Sequence, residues 1–147
     1  MIPTDTELSS LARTIQLSVA PVFLLTALGT FLGLLSTRLG RIVDRARVVV
    51  NAAAAAPADA RARYHDELVL QGRRRHLINL AISAGVTAAL LVCSIISVLF
   101  LGSVLHFNAS RVVAVLFVAA MLAFTVALVL FLREIALAVA SVRIDGR

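Results

Sequence analysis

The sequence predicts an all-α integral membrane protein with three transmembrane helices and a cytoplasmic helical hairpin extending from helices one and two. Three observations predict it. First, 61% of the 147 residues are hydrophobic, whereas soluble domains are roughly half apolar, and the excess is gathered into three long runs. Second, the basic segment Arg38-Leu39-Gly40-Arg41-Ile42-Val43-Asp44-Arg45-Ala46-Arg47 follows directly on the uncharged run 14–37. Third, the fourteen basic residues, all arginine, are shared very unevenly among the segments that join the runs.

The N-terminal residues do not read as a cleavable signal peptide, because Asp5 and Glu7 stand where a basic n-region would. Thr4 or Asp5 can cap a helix, and Glu7 completes a capping-box pattern with Thr4. Leu8, Leu11, Ala12 and Ile15 recur at helical spacing. A helix is expected to begin here, lying at the outer interface or simply starting the first span early.

Span one covers about 15–35 and contains Pro21, Gly29 and Gly33. Pro21 removes one backbone donor and predicts a kink. Leu39, Ile42, Val43, Ala46, Val49, Val50 and Ala53 share one helical face, so the helix should continue past the bilayer to about residue 56. Pro57 stops it. Asp59 then opens a second helix over about 60–75 that feeds span two. Together, residues 38–75 form the hairpin. Its small apolar stripe is hard to cover with two helices, which points to contact with neighbouring copies.

Span two covers about 77–104, longer than the ~20 residues a bilayer needs, so it should tilt or project. A short turn leads to span three at about 112–132. Helices are required because a lipid-exposed backbone must satisfy its own polar groups. Nine arginines lie between spans one and two and three follow span three, against only Arg13 and Arg111 on the other side. This places the N-terminus outside, and the hairpin and C-terminus in the cytoplasm, of a bacterial inner membrane. The absence of lysine and the abundance of alanine fit the coding bias of a GC-rich bacterium. Residues 1–147 read as a single membrane domain with no room for a separate soluble catalytic domain.

No enzyme is expected. There is no phosphate-binding glycine loop, nucleophile elbow or H-E-x-x-H motif. His65, His76 and His106 are scattered, and His65 with Asp66 and Glu67 lacks metal-ligand spacing. Cys93 reads as a small packing residue. No cofactor, no metal and no nucleic-acid partner is implied. The absence of an ionisable group deep in any span argues against a proton-coupled transporter.

Span one carries a stripe of small and weakly polar residues, with Ser18, Thr26, Gly29, Thr30, Gly33 and Thr37 the candidates for helix packing or for lining a pore. Gly29-x-x-x-Gly33 is a close-approach motif. Packed inside the chain, the stripe would meet spans two and three; turned to identical stripes about an axis, it would line a narrow pore. Below it, Arg38, Arg41, Arg45 and Arg47 are positive-inside anchors that also attract anionic lipid headgroups. In a ring of subunits, Arg38, Arg41 and Arg45 would stack as basic rings favouring anions. Asp44 stands three residues from both Arg41 and Arg47, and either pairs with them within the helix or holds an arginine of a neighbouring subunit. In span two, Asn79, Ser83, Thr87, Ser94 and Ser97 should bond across helices or to their own backbone.

The stretch Ser18-Val19-Ala20-Pro21-Val22-Phe23-Leu24-Leu25-Thr26-Ala27-Leu28-Gly29, and then residues 34–47 with their arginine–aspartate segment, resemble a bacterial membrane family known as the domain of unknown function numbered twenty-seven twenty-one. The resemblance covers most of the chain and implies three transmembrane helices and a bacterial source, but no activity. Two function classes therefore stand: a homo-oligomeric, channel-like pore for a small ion, lined by the first helix, or a non-catalytic scaffold or regulatory subunit that binds a protein partner through its hairpin. Membrane lipids are partners in both.

Overall fold

A computed structural model of the chain describes residues 5–55, 57, 61–105 and 109–144. The described residues form three helices: α1 (Asp5–Ala55), α2 (Arg61–Leu105) and α3 (Ser110–Ile144). Each is long and apolar enough to cross a membrane. α1 passes through Pro21 without ending and reaches Ala55, and Pro57 lies outside any helix. The lead-in to span two and the span itself are one helix, α2. α3 runs on to Ile144, beyond the expected end of span three at residue 132. The expected caps at Thr4 and Asp59, and also His106, lie outside the described residues.

The chain divides into two compact units, to each of which all three helices contribute. One comprises Met1–Phe31 and Gly85–Thr125. Its core gathers Leu28 of α1, Ala88 and Val92 of α2 and Ala120 of α3, with Leu24, Leu25, Ile96, Ala123 and Phe124 packed around them. Phe31 and Phe124 meet edge-to-face with ring centroids 5.6 Å apart, a favoured arrangement of aromatic quadrupoles.

The other unit comprises Leu32–Ala84 and Val126–Arg147. Leu35, Ile42 and Val49 of α1, Ile78 and Ala81 of α2, and Ala127 of α3 are its buried apolar side chains. Two polar side chains are buried with them, Gln71 and Glu134.

Within each unit the buried positions follow a seven-residue repeat. On α1 they are Ser18, Pro21 and Leu28 in one unit, at spacings of three and seven, and Leu35, Ile42 and Val49 in the other. On α2, Gln71, Ile78 and Ala81 belong to one unit, and Gly85, Ala88, Val92 and Ile95 to the other, at spacings of seven, three and four. On α3, Ala127 and Glu134 are seven apart. A repeat of this kind is the sequence pattern of helices that pack along a seam. Three of these buried positions on α2, Ala81, Gly85 and Ala88, are small.

The apolar surface mostly points outward. Only 17%, 22% and 11% of the most apolar windows of α1, α2 and α3 are buried inside the chain. Phe23 and Val104 are each more than two-thirds exposed. Soluble monomers rarely show contiguous apolar surface on that scale.

Candidate functional site

Charged residues bound the apolar runs of all three helices. Arg38 is the first charge after the run on α1, Arg74 belongs to the triplet just before the run on α2, and Glu134 follows the run on α3. They meet in the unit formed by Leu32–Ala84 and Val126–Arg147.

Glu134 is completely buried, and both its carboxylate oxygens accept from guanidinium groups. Arg38 Nη1 donates to Oε2 at 3.2 Å. Arg74 donates to Oε1 from Nε at 3.2 Å and from Nη2 at 2.9 Å. Phe131, one turn before Glu134 on the same face of α3, lies under Arg38, whose guanidinium carbon is 5.1 Å from the ring centroid. The carboxylate and the ring therefore hold Arg38 from two sides, through an ion pair and a cation–π contact. A carboxylate removed from water is tolerable only when paired and hydrogen-bonded, and here both conditions are met. Glu134 occupies a core position of the seven-residue repeat, where Ala127 stands one repeat earlier.

Around this cluster lies a cavity of about 370 Å³, whose walls include Leu34, Thr37, Arg41, Arg45 and Gln71 as well as the three clustered residues. Arg45 is paired with Glu67 at 2.8 Å. Arg41 makes no ion pair with a described residue. Gln71 is buried, and its Oε1 finds no hydrogen-bond donor among the described residues. A second cavity of about 670 Å³ lies between α1 and α2 of the same unit, with Val43, Ala46, Val50 and Leu68 among its apolar lining and Arg47 and Arg75 among its polar lining.

The predicted site residues of α1 divide into two groups. Arg38 and Arg45 are committed to carboxylates of this chain. Of the three arginines expected to stack as basic rings, only Arg41 has no ion-pair partner among the described residues. Asp44 and Arg47 are exposed, and neither forms an ion pair with a described residue, so the intrahelical pairing of Asp44 with Arg41 or Arg47 is not made.

Along the stripe, Ser18 is buried and donates to the Ile15 carbonyl at 2.8 Å. Thr26, Gly29, Thr30, Gly33 and Thr37 are exposed. Nothing lies within 4 Å of where a Cβ on Gly29 or Gly33 would sit, so no close approach is made at either glycine inside the chain. The hydroxyls of Thr26, Thr30 and Thr37 donate to the carbonyls four residues earlier, at 3.0–3.2 Å. Ser94 and Ser97 of α2 do the same at 2.9 and 3.0 Å. Among the described residues no group of three or more His, Cys, Asp or Glu side chains is placed to hold a metal.

Sequence reasoning did not single out Glu134, Arg74 or Gln71. A signal for Glu134 exists: it is the only acidic residue of α3 and completes the series Ala120, Ala127, Glu134 at sevenfold spacing.

No curated protein and no solved structure gives a significant match to the chain. Residues 18–144 match the family described as "Protein of unknown function (DUF2721)", a stretch that contains all three apolar runs, the arginine–aspartate segment and Glu134. The chain belongs to that family.

Proposed function

We propose that this protein is a multi-pass membrane protein that assembles into a homo-oligomer with α1 at its axis, forming a channel-like pore for small ions. The observation that carries this reading is the exposed stripe of α1. Gly29 and Gly33 are close-approach residues with nothing against them. Small residues on a lipid-facing surface do nothing for packing, whereas against another helix they allow close backbone contact. The threonine hydroxyls are bonded to their own helix. Each hydroxyl oxygen thus keeps acceptor capacity for water or a cation.

The charge along this seam differs from that of the stacked arginine rings. Gly33, Gly40 and Arg47 follow one another at sevenfold spacing, as do Thr37, Asp44 and Asn51, and all six are exposed. In line with the stripe stand Asp44 and Arg47, both without an ion pair to a described residue. Pairing Asp44 of one subunit with Arg47 of the next closes the ring on its cytoplasmic side and sets its register, as charges flanking a coiled-coil seam do.

Gly33→Leu tests the assembly. The side chain has room in the single chain, so folding should survive while the oligomer is lost, read by light scattering in detergent and by ionic current in planar bilayers. A wild-type protein that is monomeric at working concentration would remove the pore. A stable oligomer that carries no current leaves the second reading, a scaffold that docks a partner through the hairpin.

A further inference from the structure

The cavity around Glu134 has more positive charge than its carboxylates offset. Four guanidiniums line it, from Arg38, Arg41, Arg45 and Arg74. Glu134 pairs with both Arg38 and Arg74, and Glu67 with Arg45, so two carboxylates stand against four guanidiniums and only Arg41 has no carboxylate partner among the described residues. The cavity also holds an orphan. Gln71 is 8% exposed and its Oε1 has no hydrogen-bond donor among the described residues. A buried amide oxygen left unsatisfied is costly, so an occupant that brings both negative charge and a donor fits both deficits.

We propose that this cavity binds a phosphoester anion bearing a hydroxylated headgroup, the chemistry of phosphatidylglycerol among lipids and of glycerol phosphate among soluble molecules. The phosphate oxygens accept from Arg41 and from guanidinium N–H groups left over by Glu134, which occupies one nitrogen of Arg38 and two of Arg74. A headgroup hydroxyl donates to Gln71 Oε1. An ammonium headgroup is disfavoured because four guanidiniums surround the same space. Glu134 is a positioning residue: by holding Arg38 and Arg74 it presents them pre-oriented, and the anion does not have to order two long side chains on binding.

The position of the cavity suits a lipid. Arg38 directly follows the uncharged run of α1, and Leu34, one turn earlier, also lines the cavity. Phosphate groups of a bilayer lie where such a run ends, and Leu34 would meet the start of an acyl chain. The volume of about 370 Å³ is within the range of small-ligand sites. The site stands on the side chains of a single chain and is independent of whether α1 lines a pore.

The test measures lipid retention by native mass spectrometry on the full-length protein, together with thermal stabilisation by added ligand. The probes are phosphatidylglycerol, phosphatidylserine, phosphatidylcholine, glycerol 3-phosphate and inorganic phosphate. Phosphatidylglycerol is expected to bind best. Arg41→Gln should weaken it about tenfold, the effect of losing a charge-assisted hydrogen bond. Arg73→Gln removes the same charge from an exposed residue outside the cavity and should change binding less than twofold. Gln71→Leu should lower phosphatidylglycerol binding to the level of phosphatidylserine while phosphatidylserine binding stays as in the wild type, a result that loss of folding cannot mimic. If glycerol 3-phosphate stabilises as strongly as the lipid at equal concentration, the site stands and its natural occupant is soluble. Equal losses in Arg41→Gln and Arg73→Gln, or an undiminished phosphatidylglycerol preference in Gln71→Leu, overturn the proposal.

Discussion

Replacing Glu134 by glutamine removes one charge from the centre of a three-residue cluster and strands two. The carboxylate is fully buried, while the side chains of Arg38 and Arg74 are 37% and 19% exposed. Breaking a fully buried pair by deleting one partner costs about 3–5 kcal/mol, because the remaining charge is left uncompensated. An exposed pair is worth only about 0–1 kcal/mol. Two guanidiniums that keep partial access to water fall between these limits, so Glu134→Gln should lose about 2–3 kcal/mol. That is roughly a 30- to 150-fold fall in the folded-to-unfolded ratio.

The two arginines should not behave alike. Arg74 gives the carboxylate two bonds and is the less exposed, so Arg74→Gln should cost more than Arg38→Gln. Replacing the whole cluster by apolar residues, Arg38→Met with Arg74→Met and Glu134→Leu, should cost less than Glu134→Gln alone, because no charge is left without a partner. Reversible denaturant unfolding in micelles, followed by helical circular dichroism, measures all four. A Glu134→Gln protein within about 0.5 kcal/mol of wild type, or a triple variant worse than the single one, would refute the view that the carboxylate is held by its two partners.

Two further outcomes are expected. Arg45→Gln should change stability by no more than about 1 kcal/mol, with the difference fading at high salt, because Arg45 and Glu67 are 58% and 31% exposed; a loss as large as that of Glu134→Gln would contradict the ranking by burial. With Cys93 replaced by alanine, a cysteine at Ala109 should react with an impermeant thiol reagent in intact cells and one at Ala55 should not, as the arginine distribution requires; labelling at Ala55 alone would reverse the orientation.

Much of the architecture was readable from residue order. Uncharged runs longer than a bilayer leave helices as the only economical backbone. The continuation of α1 to Ala55 was legible because apolar positions keep helical spacing through the arginines and a proline follows at Pro57. How far α3 continues past its apolar run was not. The first charges after that run, Arg133 and Glu134, mark its end in the sequence, whereas the helix itself extends to Ile144.

The glycine motif shows the same division. Gly29-x-x-x-Gly33 is a strong local pattern for close approach, yet both glycines face outward. The small residues buried within the chain are instead Ala81, Gly85 and Ala88 of α2. A spacing says which residues share a face, not which face turns to a neighbour.

By itself, the sequence determined three long apolar runs of helical character, where each begins and ends, and the gathering of arginine between the first two runs and after the third, because these follow from local composition and helical period. Only the tertiary structure decided which charges are neutralised. Arg38, Arg74 and Glu134 are 36 and 60 positions apart along the chain, and their pairing depends on the rotation of three helices about their own axes. That rotation is set by how the sevenfold seams of Leu35, Ile78 and Ala127 pack together, and the packing of side chains from separate helices is not contained in the periodicity of any one of them.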